Sequence, residues 1–135
     1  MFIVKNTSEL YEVAAYIIKT FPEKKIWSFD GDLGAGKTTL IQVICKYLGV
    51  EEAVTSPTFT IVNEYNSMTD TIYHFDFYRI KQPIEALQIG LYDYLNSGHY
   101  CFMEWAVLLE HYYPQEAQTI KITTQENLYR HIEII

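Results

Sequence analysis

The chain is poor in the residues that would commit it to several kinds of function. Of its 135 residues two are cysteines, Cys45 and Cys101, far apart and each in an apolar stretch. Such a pair supplies neither a disulfide framework nor the close spacing of a metal or redox motif. Both read as small buried hydrophobes of a reducing compartment. His99, His111 and His131 likewise lack metal-ligand spacing. Only two arginines are present, Arg79 and Arg130, and with a net charge of −7 and a pI of about 5.0 there is no broad basic footprint for nucleic acid. No apolar run approaches the ~20 residues that span a membrane. Lys5 to Glu9 interrupt any secretory leader at the start. These absences point to a cytoplasmic protein without a membrane association. Repeats, low-complexity tracts and linkers are also missing, so residues 1–135 are expected to form a single domain.

What is present is apolar: 49% hydrophobic and 16% aromatic residues can bury a sizeable core. The most informative stretch is Gly31-Asp32-Leu33-Gly34-Ala35-Gly36-Lys37-Thr38. It fits G-x-x-x-x-G-K-[ST], the phosphate-binding P-loop. Glycines let consecutive backbone N–H groups turn inward toward phosphate oxygens. The ammonium of Lys37 reaches the outer phosphates as a point charge, and the Thr38 hydroxyl suits Mg²⁺. Gly34, Ala35, Gly36 and Thr39 complete the cradle. Its context agrees. Ile26–Phe29 reads as a buried strand, and Thr39 to Leu48 carries apolar residues at helical spacing up to the stop at Gly49. A helix starting here aims its positive end at the same anions.

Around this unit the pattern alternates strand and helix. Phe2-Ile3-Val4 is a short edge strand. Thr7 or Ser8 caps a helix with Leu10, Val13, Ala14, Ile17 and Ile18 on one side, stopped by Pro22. Residues 51–58 form a loop. Phe59 to Tyr65 and Thr71 to Phe77 make an antiparallel hairpin across the polar turn at 66–70. Pro83 opens a helical stretch through Leu95. Tyr100 to Met103 is a buried strand closed by Glu104-Trp105, and 118–124 with 130–135 forms a terminal hairpin. The expected fold is α/β: a three-layer P-loop NTPase with a mixed, mainly parallel sheet and antiparallel hairpins.

Hydrolysis needs more than a phosphate cradle: a second-strand acid for the metal, a group to orient water, and charge to stabilise the transition state. Glu104, at the end of an apolar strand, is the first candidate, and could either ligate Mg²⁺ or act as base. Asp76 is the second. It lies in Tyr73-His74-Phe75-Asp76-Phe77-Tyr78-Arg79, where alternation places His74, Asp76 and Tyr78 on one face. A carboxylate among aromatics requires a partner, His74 or Arg79 being nearest in sequence. Thr55-Ser56-Pro57-Thr58 sets hydroxyls on a constrained loop, suited to a switch segment that senses the γ-phosphate, or to an ordinary turn. The guanine-reading Asn-Lys-x-Asp is absent, which favours ATP. A metabolite kinase on this fold would enclose phosphates with several cationic side chains on a lid, and the scarcity of arginine disfavours it. A module using ATP only as a non-hydrolytic latch stays open.

Taken together, the P-loop with Thr39, Ser56-Pro57-Thr58-Phe59, His74 to Arg79, Gly90 to Leu95 and Glu104-Trp105 resemble, in order and over nearly the whole chain, the TsaE family of small bacterial P-loop ATPases. Phe77 stands where that family more often has Leu. The resemblance implies an accessory ATPase in forming threonylcarbamoyladenosine in tRNAs that read ANN codons. It would work beside TsaB- and TsaD-like proteins, with tRNA held by those partners. It further implies that Lys37 binds phosphate, Thr38 and Glu104 ligate Mg²⁺, Asp76 assists hydrolysis, the loop from Ser56 to Thr58 acts as a switch, and Thr7 lies by the adenine of ATP. Arg79 and Trp105, both within the matching segments, are grouped with the switch loop, Arg79 facing either a partner or the γ-phosphate.

Overall fold

The computed structural model describes residues 1–135. Its framework is one seven-stranded sheet: β1 (Phe2–Val4), β2 (Ile26–Asp30), β3 (Val62–Asn66), β4 (Thr71–Asp76), β5 (Tyr100–Glu104), β6 (Gln118–Thr124) and β7 (Arg130–Ile134). The order across the sheet is β1-β7-β6-β2-β5-β4-β3. The four middle strands, β6, β2, β5 and β4, run parallel, and antiparallel pairings close both edges. β2 and β5 lie at the centre. Their runs Ile26-Trp27-Ser28-Phe29 and Tyr100 to Glu104 are buried throughout, because helices cover both faces.

On one face lie α1 (Leu10–Thr20) and α2 (Lys37–Tyr47). Leu10, Val13, Ala14 and Ile17 of the first, and Leu40, Ile41, Ile44 and Cys45 of the second, pack onto Trp27, Phe29, Phe102 and Ile120. The opposite face carries α3 (Ile84–Gln88), α4 (Leu91–Leu95) and a 3₁₀ segment over Val107–Tyr112. There Ala86, Leu91, Leu95 and Leu109 cover Phe75, Cys101 and Met103. The three layers expected from the sequence are therefore present. Both cysteines are free and buried, and burial pushes each thiol up to about 12.

Three local expectations change, and one element was not expected at all. Asn6, rather than Thr7 or Ser8, caps the first helical turn: its side chain accepts the Ser8 amide at 3.1 Å, and Thr7–Glu9 form a 3₁₀ turn before α1. The stretch from Pro83 to Leu95 is two short helices rather than one, because Gly90 sits at φ 89 between them. The strand expected from Phe59 begins at Val62. In the β3–β4 register Val62 faces Phe75, so Ile61 faces Asp76 and bonds its amide at 2.9 Å. β4 ends there, since the next amide on that side, Tyr78, donates to the Asp76 side chain at 2.9 Å instead, and residues before Ile61 have no strand to join. Finally, the 3₁₀ segment after Trp105 has no strong periodic signal in the sequence.

Candidate nucleotide site

The site forms where the carboxyl ends of β2, β4 and β5 meet. Register makes this convergence obligatory. Phe29 pairs with Glu104, and Glu104 pairs with Asp76. The loop after β2 therefore opens beside two carboxylates delivered at one level by adjacent parallel strands. A cleft of about 270 Å³ results, lined by Gly34 to Thr39, Ser56, Asp76, Glu104 and Trp105.

Local geometry follows the residue types. Gly34 and Gly36 take φ values of 79 and 107, which side-chain-bearing residues rarely adopt. Gly31 is required for a different reason: an added Cβ would stand 2.7 Å from the Ile122 carbonyl oxygen. Lys37 opens α2 and is buried. Its ammonium donates to the carbonyls of Gly31 and Asp32, and lies 3.9 Å from the centre of the Trp105 ring. Burial lowers its pKa, against the opposing charges of Glu104, Asp30, Asp76 and Asp32. Trp105 holds a positive φ of 56, a conformation costly for a bulky residue. The Lys37 contact and the Tyr78 ring at 5.0 Å brace it there.

The Thr38 hydroxyl sits among oxygens. It donates to Glu104, at 2.9 and 3.0 Å from the two carboxylate oxygens, and the Ser56 hydroxyl lies 2.9 Å away. Glu104 is itself buried and accepts from His74 Nε2 at 2.7 Å. His74 is fully buried, and its Nδ1 has no partner. With the proton on Nε2, what is left unpartnered in the core is the Nδ1 lone pair. The packing-only alternative for Asp76, a buried pair with His74 or Arg79, is not formed. Neither His74 nor Arg79 partners it: His74 anchors Glu104, Arg79 donates to the Thr58 carbonyl, and Asp76 accepts the Tyr78 amide at 2.9 Å. Desolvation raises the Asp76 pKa, the Tyr78 amide pulls it back, and the charge of Glu104 pushes it up again.

The expected site residues therefore divide. Lys37, Thr38, Thr39, Gly34, Ala35, Gly36, Ser56, Asp76, Glu104 and Trp105 come together in one cleft. Thr58 and Arg79 meet each other, but they do not line it. Thr7 lies in an adjoining cavity of about 200 Å³, which shares Ala35, Gly36 and Thr39 with the cleft. That cavity also holds a residue the sequence reading left out. Arg130 of β7 donates to the carbonyls of Ala35 at 2.7 Å and Gly34 at 3.3 Å. Its only advance signal was that it is one of two arginines in an acidic chain.

Residues 4–132 match the family model described as "Threonylcarbamoyl adenosine biosynthesis protein TsaE". The chain belongs to the TsaE family. It is 37% identical over 131 residues to the "tRNA threonylcarbamoyladenosine biosynthesis protein TsaE" of Haemophilus influenzae, covering 88% of this chain and 83% of that one. With the Bacillus subtilis protein of the same name it shares 43% identity over 97 residues, 72% of this chain and 60% of the relative. Among solved structures it is similar to Bacillus subtilis YdiB, with a TM-score of 0.79 at 32% identity over 97% of this chain and 80% of that chain. The TsaE match runs from the last residue of β1 into β7, so P-loop, Asp76, Glu104 and Arg130 all lie within it.

The donor set suits a magnesium nucleotide. Ser56 and Glu104 each offer hard oxygens within 2.9 Å of the Thr38 hydroxyl. No group of three or more His, Cys, Asp or Glu side chains is placed to hold a metal by itself. Mg²⁺ commonly takes one or two protein oxygens and completes its shell with phosphate and water. Asp76 and Glu104 also outnumber Lys37 in the cleft, leaving negative charge for a cation to neutralise.

Proposed function

We propose that the chain is a magnesium-dependent ATPase that serves threonylcarbamoyladenosine formation in tRNAs reading ANN codons, acting with TsaB- and TsaD-like proteins in the cytoplasm. The observation that carries this reading is the convergence of Lys37, Thr38, Asp76 and Glu104 at the ends of α2, β4 and β5, inside one cleft. Gly34 to Thr39 would hold the phosphates, with Lys37 leaving its carbonyl partners to meet them. The cavity beside Thr7 would take the nucleoside. Thr38 and Glu104 would hold Mg²⁺, which when bound neutralises charge on the phosphates. Asp76, half-buried and free of an ion pair in the hydrogen-bonded network, can accept a proton from water at the cleft, and its raised pKa suits that exchange.

The acidic surface supports contact with tRNA through partners rather than directly. Exposed apolar side chains, Leu33 at the cleft and Phe59 and Val107 on the loops that follow Ser56 and Trp105, support protein partners. No helix is long and apolar enough to cross a membrane. The test is phosphate release from labelled ATP, with and without TsaB- and TsaD-like proteins. Lys37→Ala and Glu104→Ala should each reduce hydrolysis by about a hundredfold. Rates unchanged in both variants would refute the assignment, and transfer of label to a metabolite instead of water would revive the kinase reading. Wild-type modification of tRNA by a hydrolysis-dead Asp76→Ala protein would make ATP a latch.

A further inference from the structure

Arg130 is not part of the phosphate motif, yet it grips the motif's backbone from 95 and 96 residues further along the chain, through bonds to Ala35 and Gly34. It makes no ion pair. Its third bond, 2.9 Å to the Leu128 carbonyl, fixes the guanidinium against the β6–β7 turn, where Leu128 stands at φ 67. The two carbonyls it holds are significant. In a continuous helix the amides of Thr38 and Thr39 would donate to the oxygens four residues earlier, those of Gly34 and Ala35. Neither amide has a backbone partner in this structure, and the ladder of α2 begins with Leu40 donating to Gly36.

We infer that Arg130 is a positioning residue: by occupying the Gly34 and Ala35 carbonyls it keeps α2 from winding back through the loop, and so leaves the Thr38 and Thr39 amides free for phosphate. A guanidinium suits this because its donors form a fixed fork that can take two carbonyls at once, which an ammonium does not match. Gly36 is the hinge. At φ 107 it interrupts the helix, but glycine can equally adopt helical angles if the carbonyls are released. An Arg130 side chain 3.8 Å from where a Gly36 Cβ would stand borders that hinge directly.

The inference rests on the ATP-binding reading, and the experiment separates the two. ATP and ADP affinity is measured by titration for the wild-type protein, Lys37→Ala and Arg130→Gln, together with the nucleotide-free melting temperature and amide exchange at Thr38 and Thr39. Arg130→Gln should weaken nucleotide binding by about tenfold or more. Its melting temperature without nucleotide should stay close to wild type, and the two amides should gain protection. If Arg130→Gln does not fold, Arg130→Lys, which keeps the charge but not the fork, should show the same pattern. Affinity within about twofold of wild type would overturn the positioning role and leave ATP binding intact. Weakened affinity with unchanged amide exchange would overturn it too, making Arg130 a direct nucleotide contact. A wild-type protein that binds neither ATP nor ADP would refute the underlying reading itself.

Discussion

Two loops face each other across the cleft, and they are built on different principles. Residues 31–36 are fastened along their length. Gly31 is pressed on β6, the Ala35 amide bonds Asp32 at 3.0 Å, Lys37 ties down Gly31 and Asp32, and Arg130 ties down Gly34 and Ala35. Residues 55–61 are held at scattered points, and their stretch from Thr58 to Thr60 is exposed. Tyr65 and Asn63 hold Thr55, Ser56 reaches Thr38, and Asp76 holds Ile61. Between these points Pro57 is buried and Arg79 bonds the Thr58 carbonyl, while Phe59 beyond them is 99% exposed. A phosphate cradle gains from being formed before its ligand arrives, because ordering it afterwards would subtract from binding. A loop that reports on the ligand needs the reverse, a middle section with little packing to lose when it moves. The same chain therefore places a rigid and a loosely held loop on either side of Thr38.

The contrast is easiest to break on the rigid side. Gly31→Ala places a methyl against a backbone oxygen at 2.7 Å and the Ala35 side chain at 3.1 Å, so β6 or the cradle must shift. Overpacking of this kind should cost about 2–3 kcal/mol. In the opposing loop a much larger deletion, Phe59→Ala, should change stability by less than about 0.5 kcal/mol. Urea titration of both variants checks the pair. Comparable losses at the two sites would mean that the second loop is packed after all.

This difference also decides what could be read from sequence. The rigid loop was legible because its chemistry is local: glycines, Lys37 and Thr38 fall within eight consecutive residues, and the flanking strand and helix carry clear periods. Glu104 was legible for a similar reason, standing at the end of an uninterrupted apolar run. The loosely held loop misled. Phe59 to Ile61 has the composition of a strand, but strand formation depends on a partner, and β4 has already turned away at Asp76. The networks were less legible still. His74 joins Glu104 across 30 positions and Arg130 joins Ala35 across 95. Alternation placed His74 on the correct face, that of α2, without indicating which carboxylate would meet it there.

A finer test lies at the fastened end of the second loop. The Tyr65 hydroxyl is the hub: it accepts the Thr55 amide at 3.0 Å and Asn63 Nδ2 at 3.2 Å, and donates to the Thr55 carbonyl at 2.9 Å. Tyr65→Phe removes the hydroxyl from the Thr55 amide and leaves the Thr55 carbonyl to Asn63 Nδ2 at 3.1 Å alone. A loss of about 1–2 kcal/mol is expected. Limited proteolysis should show new cleavage within 55–61, while sites in 31–36 stay protected. Cleavage in both loops would show that they are not independent.

The smallest expected effect falls on Asp76, which borders both loops: its amide bonds Ile61, and its side chain lines the cleft. Its folded pKa lies above the ordinary 3.8, chiefly through desolvation. For an acid, a raised pKa means that the ionised form is less favourable in the fold than in the unfolded chain. The resulting penalty is present in full above the raised pKa and disappears as pH falls below 3.8. Asp76→Asn removes that charge and keeps an oxygen to accept the Tyr78 amide, bonded at 2.9 Å in the wild type. Without nucleotide the variant should melt about 1–2 °C higher than wild type at pH 7, and the gap should close as pH approaches 4. Melts across that range decide it. A gap that persists or widens on acidification would mean that the gain comes from packing rather than charge. A lower melting temperature at pH 7 would mean that the carboxylate fastens the junction of the two loops instead of straining it for the sake of the site.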